Sequence, residues 1–552
     1  MMKIFFISFF AIIQSYFVAL QALCQVSFES SNLPIIKINT LGFQIPDEPK
    51  IKAAMQIIDN GSGIRNSVND SAYNYNGYIG IERRGSSSQG FPKNNYGFET
   101  WTESGSDTAV SLLGLPEEVD WVLHGPYSDK SLIRNVLSYK LSNEMGRYAS
   151  RTVFCELILN ETYWGLYVLM EKVKRDKNRI DIANLDPDEN AGDSLTGGYI
   201  VKLDKYDGVN SGLGWPSPYR PVNFSNPDQV IYFQYEYPKN DEITQTQMKY
   251  IKDYITAFES ALSGSSYNDP VVGYQNYADV SSMIDYAIIN EIPRNIDGYR
   301  LSTFIYKDKD SKGGKLMFGP IWDLNLGYGN ADYCNGEMTS GWAYRFNDVC
   351  NQDWWQVPFW WYKLMRDHLF RSQMLERWTA LRQDALKTER IMNYIDSVAI
   401  VLEEAAQRNF IRWPVLGTYI WPNSFVGYSY AEEINFLKSW LGQRLDWLDS
   451  NMEIVPSALA DNSELPEIII YPNPFHHTAN IILPGQPAET IVVKIWDVAG
   501  NEIWIKTVSG NESRISWNSI DQEGKPVNKG LYIISFQSGG QVLSQQKIIK
   551  LD

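Results

Sequence analysis

The sequence predicts an α+β protein in which strands and helices occupy separate regions, followed by a smaller all-β domain. Residues 33 to 237 show mostly short strand patterns, and the chain from residue 244 to about 450 shows helical ones. Short alternating strands then return up to the last residue. At 552 residues the chain exceeds one ordinary domain. We expect the larger part to form two lobes with a cleft between them.

The composition excludes several classes of protein. Apolar residues make up 44% and charged residues 21%, which is typical of a globular protein with a substantial core. The formal charge of −16 argues against nucleic acid as a partner, because such proteins concentrate Lys and Arg to displace counterions. The chain has four His, which argues against a His-rich metal site and against Ser-His-Asp catalysis.

The first 24 residues are typical of a secretory signal peptide. Lys3 precedes an apolar stretch from Ile4 to about Ala22, and an N-terminal membrane anchor is the alternative. No second apolar run of membrane length follows, so we expect no integral membrane segment after signal removal. In an oxidising compartment Cys334 and Cys350 could close a loop and leave Cys155 buried, although three unpaired thiols remain an alternative.

In the first half, strand patterns are interrupted by one helix. The predicted strands are LPIIKINT, KAAMQII, GYIGIERRG, NNYGFETW, FCELILN, YWGLYVLMEKV and GGYIVKLD. From Leu132 to Met145 the apolar residues recur at helical spacing and stop before Gly146.

Helices dominate the second half. They are predicted at residues 244–262, 281–291, 360–407 and 431–448, with a hairpin around Ser311 to Gly314. The aromatic run from Trp354 to Tyr362 has spacings of three and four residues, which favours helix packing over a platform for sugars.

Residues 451–466 form a predicted linker, and residues 467–552 form a predicted small immunoglobulin-like antiparallel sandwich. This tail resembles the C-terminal sorting domain of the type IX secretion system of Bacteroidetes-type bacteria. The matching segments are YPNPF at 471, WDVAGN at 496, WN at 517, GLY at 530 and QKIIK at 546. The resemblance implies the type IX secretion machinery as a partner and a secreted or surface location.

One loop has the composition of a phosphate cradle. The segment RGSSSQGFPK, from Arg84 to Lys93, places hydroxyls and free amides beside a cation between two strands. It matches neither of the common glycine-rich nucleotide motifs, and taken alone it is better explained as a plain hairpin loop.

Two carboxylates are expected at neighbouring element ends. Asp297 follows a predicted helix, and Asp323 ends a short apolar strand on the far side of a hairpin. Such a pair suits one metal ligand and one base that orients a hydroxyl, as in phosphoryl transfer. The alternative is that both residues only terminate their elements.

Residues 27–450 resemble the CotH kinase family, the atypical secreted kinases related to spore coat protein H. The matching segments are RGSSSQGFPK, LLGLPEEVDWVLHGPYSDKSLIRN, NETYWGLYVLMEKVKRDKNRI, GGYIVKLDK, NEIPRNIDGYRLSTFIYKD, GPIWDLNLGYGN and RNFIRWPVLG. The resemblance implies a two-lobed kinase-like fold that binds ATP with Mg²⁺ or Mn²⁺. It also implies γ-phosphate transfer to Ser or Thr of exported or surface proteins.

Carried over by position, the resemblance makes Asp297 the catalytic residue and Asp323 the metal ligand of its WD motif. Five residues after Asp297 stands Ser302, where ordinary kinases carry a metal-binding Asn. Asn325 or Asn330 could compensate. A one-metal site or reduced activity is the other expectation.

The same resemblance proposes the nucleotide contacts. Lys93 is expected to meet the ATP phosphates, with Glu171 or Glu144 as its ion-pair partner. The remaining candidates for nucleotide binding are Arg84, Ser86, Ser87 and Arg134. An ATP-binding pseudokinase, a related transferase and a surface adhesin that binds glycans are the rival functions.

Overall fold

A computed structural model describes residues 26–205, 214–452, 469–482, 490–498, 500–508, 514–538 and 541–551. The predicted signal peptide, residues 1–24, and most of the predicted linker lie outside this range. The described residues belong to two compact units, one ending at residue 452 and the other beginning at residue 469.

The strand-rich half forms a closed barrel. Its seven strands are β2 (Ile35–Asn39), β3 (Ile51–Ile58), β5 (Tyr75–Arg84), β6 (Asn95–Trp101), β7 (Asp120–His124), β8 (Thr152–Leu159) and β9 (Thr162–Glu171). They close in the order β2-β3-β5-β6-β7-β9-β8. All neighbours are antiparallel except β2 and β8, which pair in parallel. Outside the barrel, β1 (Ser30–Ser31) pairs with β4 (Asn66–Ser67).

The rest of this unit surrounds a five-stranded antiparallel sheet. Its strands are β10 (Tyr199–Leu203), β11 (Gly214–Pro216), β12 (Tyr232–Tyr237), β13 (Thr303–Lys307) and β14 (Leu316–Phe318), ordered β11-β12-β10-β13-β14. The helices are α1 (Arg134–Glu144), α2 (Gly192–Leu195), α3 (Gln245–Ser263), α4 (Val280–Glu291), α5 (Phe346–Val349), α6 (Phe359–Leu364), α7 (His368–Gln383), α8 (Thr388–Arg412) and α9 (Tyr430–Met452).

Local sequence explains where the main helices begin. Thr244 and Gln247 form a reciprocal capping box at the start of α3. The Asp279 side chain accepts a hydrogen bond from the backbone N–H of Ser282 at the start of α4. Trp360 and Trp361 are fully buried and pack against aromatic rings of the sheet and α4, so they belong to the core. The helix-packing interpretation is therefore correct for these two residues.

The observed fold refines the predicted one. The mixed α and β class and the separation of strands from helices are confirmed, whereas the kinase-like two-lobed fold is not. The predicted strand-rich half closes into a barrel, and this closure was not predicted. Barrel closure depends on β7, Asp120–His124, a strand that the sequence analysis did not predict.

The C-terminal unit contains two antiparallel sheets. Three strands, β15 (Ile469–Tyr471), β16 (Ala479–Ile482) and β19 (Arg514–Trp517), form one sheet. The other is ordered β18-β17-β20-β21, from β17 (Ile491–Asp497), β18 (Glu502–Val508), β20 (Gly530–Ser538) and β21 (Gln541–Lys550). Side chains of both sheets share one core around Trp517 and Phe536. The predicted strands are present, but an immunoglobulin-like topology is not established.

Cys334 and Cys350 form a disulfide, and Cys155 is a buried free thiol in the barrel. The structure thus decides between the two cysteine arrangements. Among the helices of the described residues, none is long and apolar enough to cross a membrane.

Candidate functional site

A cavity of about 740 Å³ opens within the larger unit, where one side of the barrel faces the segments that follow α4 and β14. The barrel contributes the loop after β5 and the end of β7, and the segments after α4 and β14 contribute Asp297 and Asp323. Candidate residues from the sequence that line it are Arg84, Ser86, Ser87, Asp297, Ser302, Asp323 and Asn325. The size suits a small-molecule ligand.

The loop between β5 and β6 brings backbone amides and hydroxyls to the cavity. Gly85 has φ +111°, and a Cβ there would collide with Ser88 Oγ, so the turn requires glycine. Just before it, the Arg84 guanidinium lies 5.2 Å from the Trp322 ring centroid. Within the described residues Arg84 makes no hydrogen bond or ion pair. Burial lowers its pKa, and Asp323 opposes that shift. An anion would therefore find an available cation here.

Asp323 adopts a left-handed backbone, with φ +62°, which is unusual for a residue other than glycine. Helix α1 holds this turn. The N–H of Asp323 donates to Tyr139 Oη at 3.2 Å, and the N–H of Leu324 donates to Asn135 Oδ1 at 2.7 Å. The carboxylate thereby faces the cavity.

The Asp323 carboxylate lies in a negative environment. Desolvation, together with repulsion from Asp297 and Asp204, raises its pKa to about 6, and attraction to Arg84 only partly offsets this. Burial also raises the pKa of Asp204, with a further contribution from Asp297. A bound cation would stabilise the ionised form of Asp323.

Asp297 has its own counter-charge. Its Oδ1 accepts a hydrogen bond from Arg300 Nη2 at 2.8 Å, and the Arg300 side chain is buried. The neighbouring Ser302 also lines the cavity, with φ +47°. The structure therefore places a fixed carboxylate and a hydroxyl in the same cavity as the Gly85 loop.

Asn325 lies beside Asp323 in the cavity wall. Asn330 is buried instead, and its Nδ2 donates to the backbone carbonyl of Asn325 at 2.9 Å. Of the two asparagines considered as replacements for a metal-binding Asn, Asn325 alone lines the cavity. Within the described part of the chain, no group of three His, Cys, Asp or Glu side chains is arranged to hold a metal ion.

Two predicted nucleotide contacts lie away from the cavity wall. Lys93 is buried and its Nζ donates to Leu166 O at 2.7 Å, Asn409 Oδ1 at 2.8 Å and Pro126 O at 3.1 Å. Burial lowers its pKa well below the usual value. The expected ion pair with Glu171 is not formed, because Glu171 accepts hydrogen bonds from Arg151 at 2.7 and 3.0 Å. Both side chains are thus held mainly by partners outside the cavity lining.

The other two charged candidates are also paired elsewhere. Arg134 forms a buried ion pair with Asp129 at the start of α1. Glu144, at the other end of that helix, pairs with Lys140 and Arg390. Neither side chain lines the cavity, and the buried pair of Arg134 with Asp129 gives that arginine a structural role at the start of the helix.

Among the cavity residues that sequence reasoning missed, three stand out. Asp204 follows β10 and lies in the segment GGYIVKLDK, and Tyr139 lies on α1, but neither was predicted as part of a site. His124 ends β7 near Asn135, and burial lowers its pKa to about 4, so the imidazole is neutral at pH 7. His124 lies in the segment LLGLPEEVDWVLHGPYSDKSLIRN, and a prediction of strand β7 would have placed it at a strand end.

Comparisons with known proteins agree with this division of the chain. Residues 81–448 match the family described as CotH kinase protein, and residues 469–550 match the secretion system C-terminal sorting domain. No curated protein matches the chain.

Two matching solved structures come from Porphyromonas gingivalis. Dimeric latent PorU is 22% identical over 15% of this chain and 9% of its own, with a TM-score of 0.14. PorZ, a surface component of the type IX secretion system, is 20% identical over 17% of this chain and 12% of its own, also at 0.14. The chain thus spans about a tenth of either protein.

A third match is the alkylpurine DNA glycosylase AlkC of Pseudomonas fluorescens. It is 9% identical over 37% of this chain and 53% of its own, with a TM-score of 0.13. These scores are too low for an argument about fold or function. The family matches carry the identification, since the first covers more than half of the chain. The chain is a secreted or cell-surface protein of the CotH kinase family with a type IX secretion sorting domain.

Proposed function

We propose that this protein is an ATP-dependent protein kinase that transfers the γ-phosphate to Ser or Thr hydroxyls of exported or surface proteins. One observation carries the proposal: Asp297 and Asp323 line the same cavity as a Gly- and Ser-rich loop between two strands. Phosphoryl transfer depends mainly on charge and position, and these are the groups that it requires.

The nucleotide phosphates would lie against the loop of Gly85 to Ser88, with Arg84 as the cation. This assignment replaces Lys93, whose amine already has three acceptors. Arg84 makes no hydrogen bond or ion pair with the described residues and lies beside the carboxylate of Asp323. A guanidinium suits phosphate oxygens because it offers several donors in one plane.

A divalent cation fits the donor set of the cavity. Asp323 and Asn325 supply oxygen atoms, and desolvation together with repulsion from Asp297 and Asp204 raises the pKa of Asp323, which a bound cation would oppose. Mg²⁺ is usually held by one or two carboxylates together with substrate phosphates and water rather than by a complete protein cage. When bound, Mg²⁺ or Mn²⁺ would offset the negative charge of the phosphates.

Asp297 would act on the acceptor. Its Oδ1 is held by Arg300, while its Oδ2 makes no hydrogen bond within the described residues. That second oxygen can accept the proton of an acceptor hydroxyl and orient it for attack. His124 is unsuited to this role, because it lies on the barrel side among buried groups.

The test is direct. The full mature protein is incubated with γ-labelled ATP, Mg²⁺ or Mn²⁺, and the exported proteins of the source organism. We expect labelled phosphoserine or phosphothreonine that disappears with EDTA. ATP binding without any transfer, over a broad set of acceptors, would contradict the kinase proposal.

Ser302 favours a second candidate, a nucleotide-binding pseudokinase. It occupies the place of a metal-binding Asn and its hydroxyl is a weaker ligand than an amide oxygen. One variant distinguishes the two candidates. If the protein is an active kinase limited by a weak second metal contact, Ser302→Asn should raise the rate of phosphate transfer.

A further inference from the structure

The buried Arg300 connects the cavity to a disulfide-closed loop. Its Nη2 donates to Asp297 Oδ1 at 2.8 Å, and its Nε donates to the carbonyl of Ile296 at 2.8 Å. On the other side, Nη1 donates to Asp353 Oδ1 at 3.0 Å and to the carbonyl of Trp355 at 2.9 Å. Every nitrogen of this guanidinium is thus engaged.

The second set of contacts comes from the loop closed by the Cys334–Cys350 disulfide and the residues just after it. Phe346, inside the loop, packs its ring 4.0 Å from the Arg300 guanidinium carbon. The N–H of Asp353 donates to the carbonyl of Cys350 at 3.0 Å, so the Asp353 turn starts at the disulfide. The position of Arg300 therefore depends on a segment that the disulfide tethers.

The same loop is bonded to the end of α4, directly before the Asp297 segment. The buried carboxylate of Glu291 accepts the N–H groups of Ala343 at 2.7 Å and Tyr344 at 3.0 Å. Arg294 Nη1 donates to the carbonyl of Asn335 at 2.7 Å. Hydrogen bonds with the disulfide loop therefore hold residues 291–294, directly before Asp297.

Fixing one oxygen of Asp297 has a chemical consequence. A carboxylate with two free oxygens rotates, whereas a hydrogen bond from a buried guanidinium at Oδ1 leaves Oδ2 in one direction. A small displacement of a reacting group lowers the rate by large factors without changing how the other substrate binds.

We propose that Arg300 is a positioning residue for Asp297, and that the Cys334–Cys350 disulfide holds Arg300 in place, so that efficient transfer requires the oxidised protein. The inference rests on the proposed kinase function. Oxidation removes two electrons and two protons from the thiol pair, which a disulfide of an exchange partner accepts as it becomes two thiols. The kinase would then remain weakly active until it reaches an oxidising compartment.

The first experiment compares Arg300→Met, Arg300→Lys and Asp353→Asn in the full mature protein, with Arg345→Met as the matched control. Arg345 is exposed, lies in the disulfide loop and pairs with Asp348 rather than with the cavity. We expect Arg300→Met to lower kcat by about 10- to 100-fold with KM for ATP unchanged. The kcat of Arg300→Lys and of Asp353→Asn should fall less, and the kcat of the control should not change.

The second experiment compares oxidised wild-type protein, dithiothreitol-reduced protein and the Cys334→Ser/Cys350→Ser double variant. The dithiothreitol-reduced protein and the double variant both lack the disulfide. The kcat of each should fall as it does in Arg300→Met. They should also speed amide hydrogen exchange in residues 294–301 while Mg·ATP affinity is kept. The double variant should not respond to dithiothreitol.

The outcomes separate the two proposals. If oxidised wild-type protein transfers phosphate and Arg300→Met has an unchanged kcat, or raises KM for ATP as much as it lowers kcat, the positioning role is wrong and the kinase survives. If the reduced protein keeps full activity and its amide hydrogen exchange is unchanged, the proposed dependence of transfer on the disulfide is wrong. If oxidised wild-type protein transfers nothing, both proposals fail, because Asp297 then has no acceptor to orient.

Discussion

Asp297 and Asp323 face one cavity, but the residues around them differ in how far they compensate the negative charge of the carboxylate. Around Asp297, a buried arginine bonds one carboxylate oxygen. Around Asp323, desolvation and then repulsion from two further carboxylates raise the pKa to about 6, and helix α1 bonds the backbone rather than the side chain. One carboxylate is oriented, whereas the other is left short of positive charge.

The difference separates two kinds of pre-organisation. A group that must receive a proton in a fixed direction benefits from a permanent partner. A group that must bind a cation benefits from having none, since a resident cation would have to be displaced. Burying uncompensated charge costs stability, and such sites are characteristic of function rather than of folding.

The largest expected effect follows from removing the uncompensated carboxylate. Asp323→Ala should weaken Mg²⁺-dependent nucleotide binding by at least about 100-fold and abolish transfer, because the metal loses its charged ligand. Isothermal titration with Mg·ATP, with and without EDTA, measures the binding.

Asp332→Asn is the control for that variant. Asp332 accepts a hydrogen bond from Tyr419 at 2.7 Å and is absent from the cavity lining. Nucleotide affinity in Asp323→Ala equal to that of the control would mean that the metal binds elsewhere.

Asp297→Asn should have a smaller and different effect. Turnover should fall by about 10² to 10⁴, the usual range for a lost general base, while Mg·ATP affinity stays close to that of the wild type. The asparagine oxygen still accepts from Arg300, so the local structure is retained. Single-turnover transfer and nucleotide titration, done on the same preparation, measure the two quantities. A parallel loss in both would make Asp297 a second metal ligand.

Arg84 and Lys93 test which cation serves the nucleotide. Arg84→Met should weaken ATP binding by about 10- to 100-fold, as expected for a lost charge-assisted contact, with little change in thermal stability. Lys93→Met should do the reverse, lowering the free energy of unfolding by about 2 to 4 kcal/mol because three buried acceptors lose their donor.

Arg84→Lys is the matched variant and should keep part of the affinity. Denaturant unfolding and nucleotide titration give the two readouts. If Lys93→Met weakens ATP binding while Arg84→Met does not, the assignment from the sequence is right and the one from the cavity is wrong.

These results show what the sequence alone could provide. Local patterns predicted α1, α3, α4 and the β13–β14 hairpin within a few residues, because capping and periodicity are local properties. Asp297 and Asp323 were expected at neighbouring element ends, and the structure brings both to one cavity. The Asp297–Arg300 pair, three residues apart, was also within reach of a spacing argument.

Other features depend on distant parts of the chain. Asn135 and Tyr139 hold a turn more than 180 residues away, which no local pattern encodes. The acceptors of Lys93 are Pro126, Leu166 and Asn409, which lie 33 to 316 residues further along the chain. The five-residue strand β7 is short and was overlooked, although it decides whether the barrel closes.

The smallest expected effect concerns stability and pH. Asp323 has its pKa raised from 3.8 to about 6 in the folded protein. Between these values the folded state binds more protons than the unfolded state, so this residue makes the protein less stable as the pH rises from about 4 to 6. Asp323→Asn cannot ionise and escapes that loss.

The variant should therefore match the wild type below pH 4 and unfold at a higher temperature above pH 6. The gain should be on the order of 1 kcal/mol or less, because the carboxylate is open to the solvent of the cavity. Saturating Mg·ATP should reverse the order at pH 7.5, since only the wild type gains from binding. Thermal unfolding at pH 4 and 7.5, with and without ligand, measures all of this. A variant less stable than the wild type at pH 7.5 without ligand would show that the Asp323 charge is compensated after all.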